Sequence, residues 1–402
     1  MDPEHATVEA FMKEAVRLAT RGRWTAHPNP AVGAVVVKDG QIVGRGYHRG
    51  PGTPHAEAEA LKEAGTEAYG ADLYVTLEPC VHTGRTPPCT EAILASRVHR
   101  VFIGMIDPDK RVSGRGVELL RQKGLKVEVG FAQKEVEALD PEYFHHKKTG
   151  RPFVRYKTAA TLDGFVAAAD GSSKWITSGK AREDAHFYRA RADAIAVGSG
   201  TVVADDPELT CRLDGFEGPQ PVRVIFDTSG RLSGDEKLFS TAASFEGGAI
   251  AIFSGPAGAK SLSAKLRSAG HEVEVVSAGD LGCWHISNLP RVGVVTTKLS
   301  GGVVDVGSTL RFLGSVQIVE LLLEGGPRLA ASFVAGGYID EMVLYIGAKL
   351  LGGGGIPILE GEVGQSIDSA EMWQVCEVSR IESDAKIVAR PIGDDSGQHD
   401  RA

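Results

Sequence analysis

No run of about 18 uninterrupted apolar residues, the length that a membrane-spanning helix needs, occurs in the 402-residue chain. The opening MDPEHATVEAFMKEA puts no basic segment ahead of an apolar one, so it does not read as a secretory signal. Lysine and arginine never gather into a dense block, and the formal net charge is −8. A protein that grips nucleic-acid backbone shows a basic face or arm, so these absences argue against such a partner. Local pockets for a single phosphate stay compatible with them. Cysteine is scarce as well: five residues, at 80, 89, 211, 283 and 376, odd in number and scattered. That usage excludes a disulfide framework and fits reduced thiols in a cytoplasmic protein.

What is present suits a globular chain of two or three domains, long enough to bury cores without staples. Apolar residues at helical spacing predict a helix over Val8–Arg21, with Gly22 suited to ending it. AVGAVVVK and QIVGRGY flank Asp39-Gly40, a strong hairpin signal. The pattern then alternates. A helix starts near His55, ADLYVT reads as a strand, PPCTEAILAS as a helix, RVFIGM as a strand, GVELLRQKG as a helix and LKVEVG as a strand. Phe131–Lys148 reads as one closing helix before the Thr149-Gly150-Arg151-Pro152 break. This is an α/β domain, expected over residues 1–150. A second α/β domain is expected over 151–392. Its strands are predicted at FVRYKTAA, DAIAVG, VRVIFD, GAIAIF, HEVEVV, QIVELLLE and DEMVLYIG, its helices at Ala181–Arg191, Ala259–Ala269 and Pro327–Ala335. Apolar runs bounded by glycine and proline suit buried parallel strands. The polar, acidic residues 393–402 read as a disordered tail.

The chemistry concentrates in two short strings. PGTPHAEAEALKEAG contains His55-Ala56-Glu57, and TLEPCVHTGRTPPCTEAI supplies Cys80 and Cys89. One imidazole and two thiolates suit zinc, and three protein ligands leave a fourth position for water. An unligated glutamate beside that water can move its proton, which is the signature of zinc deaminases. His55 and Glu57, two residues apart, converge only in a first helical turn. Prolines before His55 and before Cys80 predict that both segments open helices. The two cysteines are separated by the inserted loop VHTGRTPP, so they do not form one CxxC turn. His82 in that loop leaves open a closed Cys2His2 site without catalysis. Asn29 between two prolines reads first as a turn residue, and His48 as an exposed one. Arg85 and His82 are candidates for contact with an anionic substrate.

PNPAVGAVVVKDGQIVGRGYHRGPGTPHAEAEAL, TLEPCVHTGRTPPC and DPDKRVSGRG together resemble the bifunctional deaminase-reductase family of riboflavin biosynthesis. RPFVRYKTAATLDGFVA, GSSKWITSGKAR, ADAIAVGSGTVVADDPELTCR and LLLEGGPRLAASF are similar to that family's reductase half. The resemblance spans residues 8–352 and is weakest over 230–316. The segment YIGAKLLGGGG lacks the proline that the family tends to carry there.

The resemblance implies a cytidine-deaminase-like α/β/α sandwich followed by a dihydrofolate-reductase-like α/β domain. It implies zinc-dependent deamination of 2,5-diamino-6-ribosylamino-4(3H)-pyrimidinone 5′-phosphate, then NADPH-dependent reduction of the ribosyl group to ribityl. His55, Cys80 and Cys89 would hold zinc, Glu57 would move protons, and Asn29 and His48 would line the pyrimidine site. Lys157 and Asp163 would lie near the nicotinamide. Trp175, Thr201, Asp205 and the run Gly326, Pro327, Arg328, Leu329, Ala330, Ala331 and Ser332 would bind the cofactor. Ser173, Arg189, Leu209, Arg212 and Glu324 would bind the reductase substrate. The expected partner is a small pyrimidine ribosyl phosphate, not a nucleic acid or a membrane, with homo-oligomers assembling through the reductase domain. Two other classes fit parts of the pattern: a nucleic-acid or nucleoside deaminase with an appended domain, and a non-catalytic zinc module with a nucleotide sensor.

Overall fold

The computed structural model describes residues 3–84, 86–242, 249–280, 284–285, 289–361, 364 and 366–392. Arg85, Cys283 and the tail 393–402, each with an expectation above, lie outside them. The chain divides into two compact units, residues 1–150 and 151–402.

In the first unit, α1 (Pro3–Ala19) leads to the hairpin β1 (Gly33–Lys38) and β2 (Gln41–Tyr47). Asp39 and Gly40 both take positive φ, 50° and 76°, the geometry that turns a two-residue hairpin. There follow α2 (Ala56–Ala64), β3 (Asp72–Leu77), α3 (Cys89–Ser96), β4 (Arg100–Met105), α4 (Arg115–Gln122) and β5 (Lys126–Val129). The sheet runs β2-β1-β3-β4-β5. Met12, Ala15 and Leu18 of α1 pack with Val35, Tyr74 and Phe102 in one core, while Ala60, Ile93 and Leu120 of α2, α3 and α4 pack with Val36, Val75 and Ile103 in another. The sheet is therefore sandwiched between helix layers.

Two expectations fail here for local reasons. The predicted closing helix is two helices, α5 (Gln133–Leu139) and α6 (Pro141–Thr149). Pro141 has no N–H to continue α5, and Asp140 leaves helical geometry to cap α6, accepting from the Tyr143 N–H. Cys80 does not open a helix either. Its segment is a loop after β3, and the insertion moves the helix start to Cys89, behind Pro88.

The second unit is a ten-stranded sheet in the order β11-β12-β10-β9-β8-β15-β6-β16-β19-β18. Its elements begin with β6 (Phe153–Thr161), β7 (Phe165–Ala167), α7 (Gly179–Arg191), β8 (Ala194–Gly198), α8 (Ser199–Asp205), β9 (Val222–Phe226) and α9 (Lys237–Ala242). Then come β10 (Ile250–Ser254), α10 (Pro256–Ser268), β11 (Glu274–Ser277), β12 (Val292–Thr296), β13 (Leu299–Ser300), β14 (Val303–Val304) and α11 (Val306–Ser315). The unit ends with β15 (Glu320–Leu323), α12 (Pro327–Ala335), β16 (Glu341–Gly347), β17 (Ile356–Pro357), β18 (Trp373–Ile381) and β19 (Asp384–Pro391). Strands from β11 to β16 pair in parallel, and β19 and β18 extend the sheet antiparallel. Leu310, Phe312 and Phe333 cover one face, and Leu238, Leu262 and Leu266 the other. Burial on both faces explains why these strands read as short uninterrupted apolar runs.

Candidate functional site

Helix α2 carries His55 as its N-cap and Glu57 in its first turn. The helix lies flush on β2 because Gly44 and Gly46 have no side chains. A Cβ there would stand 2.2 and 2.1 Å from the carbonyl oxygens of Ala60 and Ala56. This close approach fixes the helix end at the site. On the other side, α3 begins with Cys89, whose backbone N–H donates to Cys80 Sγ at 3.4 Å. The Thr90 N–H and hydroxyl both donate to the Cys80 carbonyl at 3.3 Å, which ties the loop cysteine to the helix start.

His55 Nδ1 lies 3.1 Å from Cys89 Sγ and 3.6 Å from Cys80 Sγ, and all three ligand atoms fall within 4.8 Å of one another. Nitrogen and sulfur ligands around a tetrahedral zinc stand about 3.5–3.8 Å apart, so the cluster fits that ion. Hydrogen bonds from Cys89 and His55 hold the Cys80 thiol down to about 4, while the same pairing pushes Cys89 up. A cation would displace the protons that these groups share. With Nδ1 facing the sulfurs, His55 Nε2 carries the proton and donates to Thr86 Oγ1 at 3.2 Å. His82 is not part of the cluster, and its Nδ1 is buried without a partner. The metal-ligand set among the described residues is thus three-membered and open, which counts against the closed Cys2His2 alternative.

Glu57 is 3% exposed, and burial raises its carboxyl above the usual range. His48, expected on the surface, is instead buried, with its ring edge-on to His55 at 5.1 Å. Its Nδ1–H donates to the Pro54 carbonyl at 3.3 Å, which leaves Nε2 to accept from Asn29 Nδ2 at 3.0 Å. Asn29 and His48 therefore join the zinc cluster in one site. The Asn29 loop is held by Asp140, which accepts from the Ala31 N–H at 2.9 Å and lies 3.1 Å from His27 Nε2.

In the second unit the candidates gather at the carboxyl ends of the parallel strands, where open α/β sheets bind ligands. Glu324 follows β15 and takes a two-pronged hydrogen bond from Arg189 of α7, at 3.0 and 2.6 Å. Arg189 Nη1 donates to the Thr210 carbonyl at 3.0 Å, so its fork is engaged within the protein. Burial opposes the Glu324 carboxylate, but Arg189 and Lys157 outweigh it and hold the group at about 2. Burial likewise lowers Lys157 of β6, with Glu324 opposing. Leu209 is buried, and Arg212 donates to Thr210 Oγ1 at 3.3 Å. Thr201 and Asp205 lie on α8, and Thr201 Oγ1 stands 3.5 Å from where a Cβ on Gly326 would be. Gly326 caps α12 through backbone alone, with Pro327 first in the helix. Arg328 is turned to Glu360 at 3.0 Å.

Asp163 and Trp175 make a different set of contacts. Asp163 Oδ2 accepts from the Leu351 and Gly352 N–H groups at 3.0 and 2.7 Å, anchoring the glycine-rich segment. Trp175 is 59% exposed, with the Arg182 guanidinium 4.2 Å above its ring and Lys349 donating to its carbonyl. Ser173 is half-buried in the loop before α7.

The profile of the cytidine and deoxycytidylate deaminase zinc-binding region matches residues 5–105, and that of the RibD C-terminal domain matches 152–386. Riboflavin biosynthesis protein RibD of Aquifex aeolicus is 41% identical over 344 residues, 86% of this chain and 88% of its own. The chain belongs to the RibD family. RibD of Escherichia coli is 38% identical over 86% of this chain and 88% of its own length. The Acinetobacter baumannii RibD structure aligns at a TM-score of 0.81 and 32% identity, over 97% of this chain and all of that one. The Thermotoga maritima diaminohydroxyphosphoribosylaminopyrimidine deaminase/5-amino-6-(5-phosphoribosylamino)uracil reductase aligns at 0.78 and 36%, with the same coverage. As a RibD protein the chain combines deaminase and reductase activities of riboflavin biosynthesis, with a His-Cys-Cys zinc site in a cytidine-deaminase-like domain and a reductase domain that implies a nicotinamide cofactor.

Three residues of this RibD chain escaped sequence reading. Thr86 meets the zinc histidine, as described. Glu78, buried beside Pro79-Cys80, accepts from the backbone N–H groups of Asp107, Gly114, Gly116 and Val117 and so ties the loop carrying Cys80 to the start of α4. His186 touches the Arg212 segment. Its position one turn before Arg189 on α7 was the available signal.

Proposed function

We propose that the chain deaminates 2,5-diamino-6-ribosylamino-4(3H)-pyrimidinone 5′-phosphate and then reduces the ribosyl group of the product to ribityl with NADPH. The observation that carries this reading is the open three-ligand cluster with a buried, unligated glutamate in the adjoining helical turn. His55 Nδ1 and the two sulfurs would hold zinc, which would supply Lewis-acid chemistry that acidifies water toward neutrality. A Glu57 carboxylate oxygen takes the proton of the attacking water and returns it to the departing amine. Asn29, with its amide nitrogen given to His48, presents Oδ1 to donors on the pyrimidine edge.

In the reductase, a bound nicotinamide would supply the hydride. Glu324 and Lys157 orient the ribosyl hydroxyls, while Leu209, Arg212, Ser173 and Arg189 form the rest of the substrate pocket. Because Glu324 and Thr210 occupy the Arg189 fork, Arg212 is the freer cation for the substrate phosphate. The uncapped N–H groups at the start of α12 suit a cofactor phosphate beside Thr201 and Asp205. Asp163 and Trp175 complete the cofactor site through the glycine-rich segment and the exposed ring. Oligomers form through this unit, a reading supported by the edge strand β18, on which Val375 and Val378 are 56% and 68% exposed.

A coupled assay tests the whole reading. Ammonia release from the diaminopyrimidine phosphate should proceed without NADPH, and NADPH oxidation should follow only once deamination has occurred. Ammonia release that survives complete zinc removal, or NADPH that stays unoxidised with the deaminated compound, sinks the corresponding half.

A further inference from the structure

We propose that His186 is a positioning residue of the reductase, whose ring nitrogen holds Arg212 in place for the substrate. The inference rests on the reading of Leu209–Arg212 as part of the substrate site.

Helix α7 reaches three successive residues of that segment. Arg189 Nη1 donates to the Thr210 carbonyl at 3.0 Å, the His186 carbonyl accepts from Cys211 Sγ at 3.6 Å, and His186 Nδ1 accepts from the Arg212 N–H at 3.2 Å. The segment needs such restraint, because Leu209 is buried with φ of 56°, a left-handed conformation that side-chain-bearing residues rarely adopt. The three bonds differ in redundancy. Cys211 is also gripped by Gln220, which accepts from its N–H at 2.8 Å and donates to its carbonyl at 3.2 Å. At Arg212 the backbone is held by the His186 ring.

An imidazole can accept at Nδ1 only when that atom carries no proton, so the contact requires the neutral ring with hydrogen on Nε2. The surroundings enforce this. Burial, then the positive charges of Arg189 and Arg212, with Lys157 adding and Glu324 opposing, hold His186 down to about 4. Arg212, the cation assigned to the substrate phosphate, joins Arg189 in keeping the clasp in its accepting form. His186 thus acts through Arg212 and need not touch the substrate itself.

The chemistry of amide side chains provides the test. Asparagine can place an acceptor where Nδ1 stands, whereas glutamine places its polar end further out, near Nε2. In the full-length protein, His186→Gln should raise the reductase KM for the deaminated pyrimidine phosphate about tenfold, the scale of one lost hydrogen bond. Its kcat and its KM for NADPH should stay near wild type, and His186→Asn should restore most of the substrate KM. Equal behaviour of the Asn and Gln variants overturns the proposal. So does a Gln variant that loses kcat and cofactor affinity as much as substrate affinity, since general disruption of the unit would do that. Arg212→Ala separates this inference from the reading beneath it. If Arg212→Ala leaves the substrate KM unchanged, the substrate-site assignment and the clasp fall together. If Arg212→Ala raises KM and His186→Gln does not, only the clasp falls.

Discussion

The two sites meet the same problem, assembling charged groups under cover, in opposite ways. The deaminase site gathers donors for a cation: two thiols and an imidazole place their ligand atoms within 4.8 Å of one another, the donor set that zinc takes. In the proposed reductase pocket the carboxylate is already paired from within, Arg189 clamped on Glu324 with Lys157 beside them. A site that needs its ion depends on that ion and on the few groups aiming its ligands. A self-paired site depends on the many elements that bring its charges together, and a ligand must exchange with existing bonds to enter it.

The sharpest way to break this contrast is Glu57→Gln. It should lower ammonia release by about a thousandfold, within the span of general acid–base catalysis. Bound zinc, measured by metal analysis, and NADPH oxidation with the deaminated compound should be unchanged. Loss of zinc would mean that Glu57 acts as a ligand.

A second set of paired charges lies buried within the reductase unit. Arg155 of β6 is fully buried between Glu320 of β15 and Glu341 of β16, which Arg191 and Arg390 also contact. Arg155→Met strands part of that negative charge and should cost about 3 kcal/mol, the lower end of the range for breaking a buried pair, because two arginines remain. Urea unfolding of the reductase unit measures it. A cost below about 1 kcal/mol would show that the network contributes no more than a surface pair.

Next in size is Thr86→Val, which keeps the shape but removes the acceptor from His55 Nε2–H. Zinc affinity by chelator competition should fall about 10–100-fold, the usual effect of losing such a partner. Thr86→Ser should recover it. Equal losses in both would assign the effect to packing.

How much of this was readable in advance follows the same division. The zinc site was legible because its members occupy two short strings and the chemistry demands those residue types. Read from the residues alone His48 looks exposed, because nothing local says that the Asn29 loop packs against it; only the family resemblance places it beside the zinc cluster. The break at Asp140-Pro141 was written in the residues, a capping aspartate followed by proline, but the apolar spacing continued through it. Strand β12, helices α8, α9 and α11 and the β18–β19 hairpin are among the elements that the sequence pattern does not announce. The residues of β18 are mostly exposed and offer no clear alternation to read. His186, Thr86 and Glu78 share a deeper reason. The partners of His186 and Glu78 are backbone N–H groups, which every residue but proline carries, so no second residue type marks the pairing. Thr86 meets its histidine only because the insertion folds back over the metal ligands.

The smallest expected effect sets the two units against each other by sign. His186 titrates at about 4 in the folded protein, below the ordinary histidine value of about 6.5, so the native state binds fewer protons than the unfolded chain between those values. Its contribution to reductase stability is therefore constant above about 6.5 and is lost as the pH falls toward 4. Asp107 of the deaminase unit behaves inversely. Burial raises it to about 6, against hydrogen bonds from the Asp109 N–H and the Tyr143 hydroxyl, so the native state keeps a proton that the unfolded chain releases. Its contribution grows as the pH falls through 6 and is lost as the pH rises through it. Asparagine preserves the accepting oxygen at Asp107 and an acceptor at His186 while abolishing titration at both. Thermal melts between pH 7 and 4.5 should show His186→Asn removing part of an acid-induced loss in one unit, and Asp107→Asn removing an acid-induced gain in the other. Two difference curves of the same sign would mean that burial does not control both groups as described.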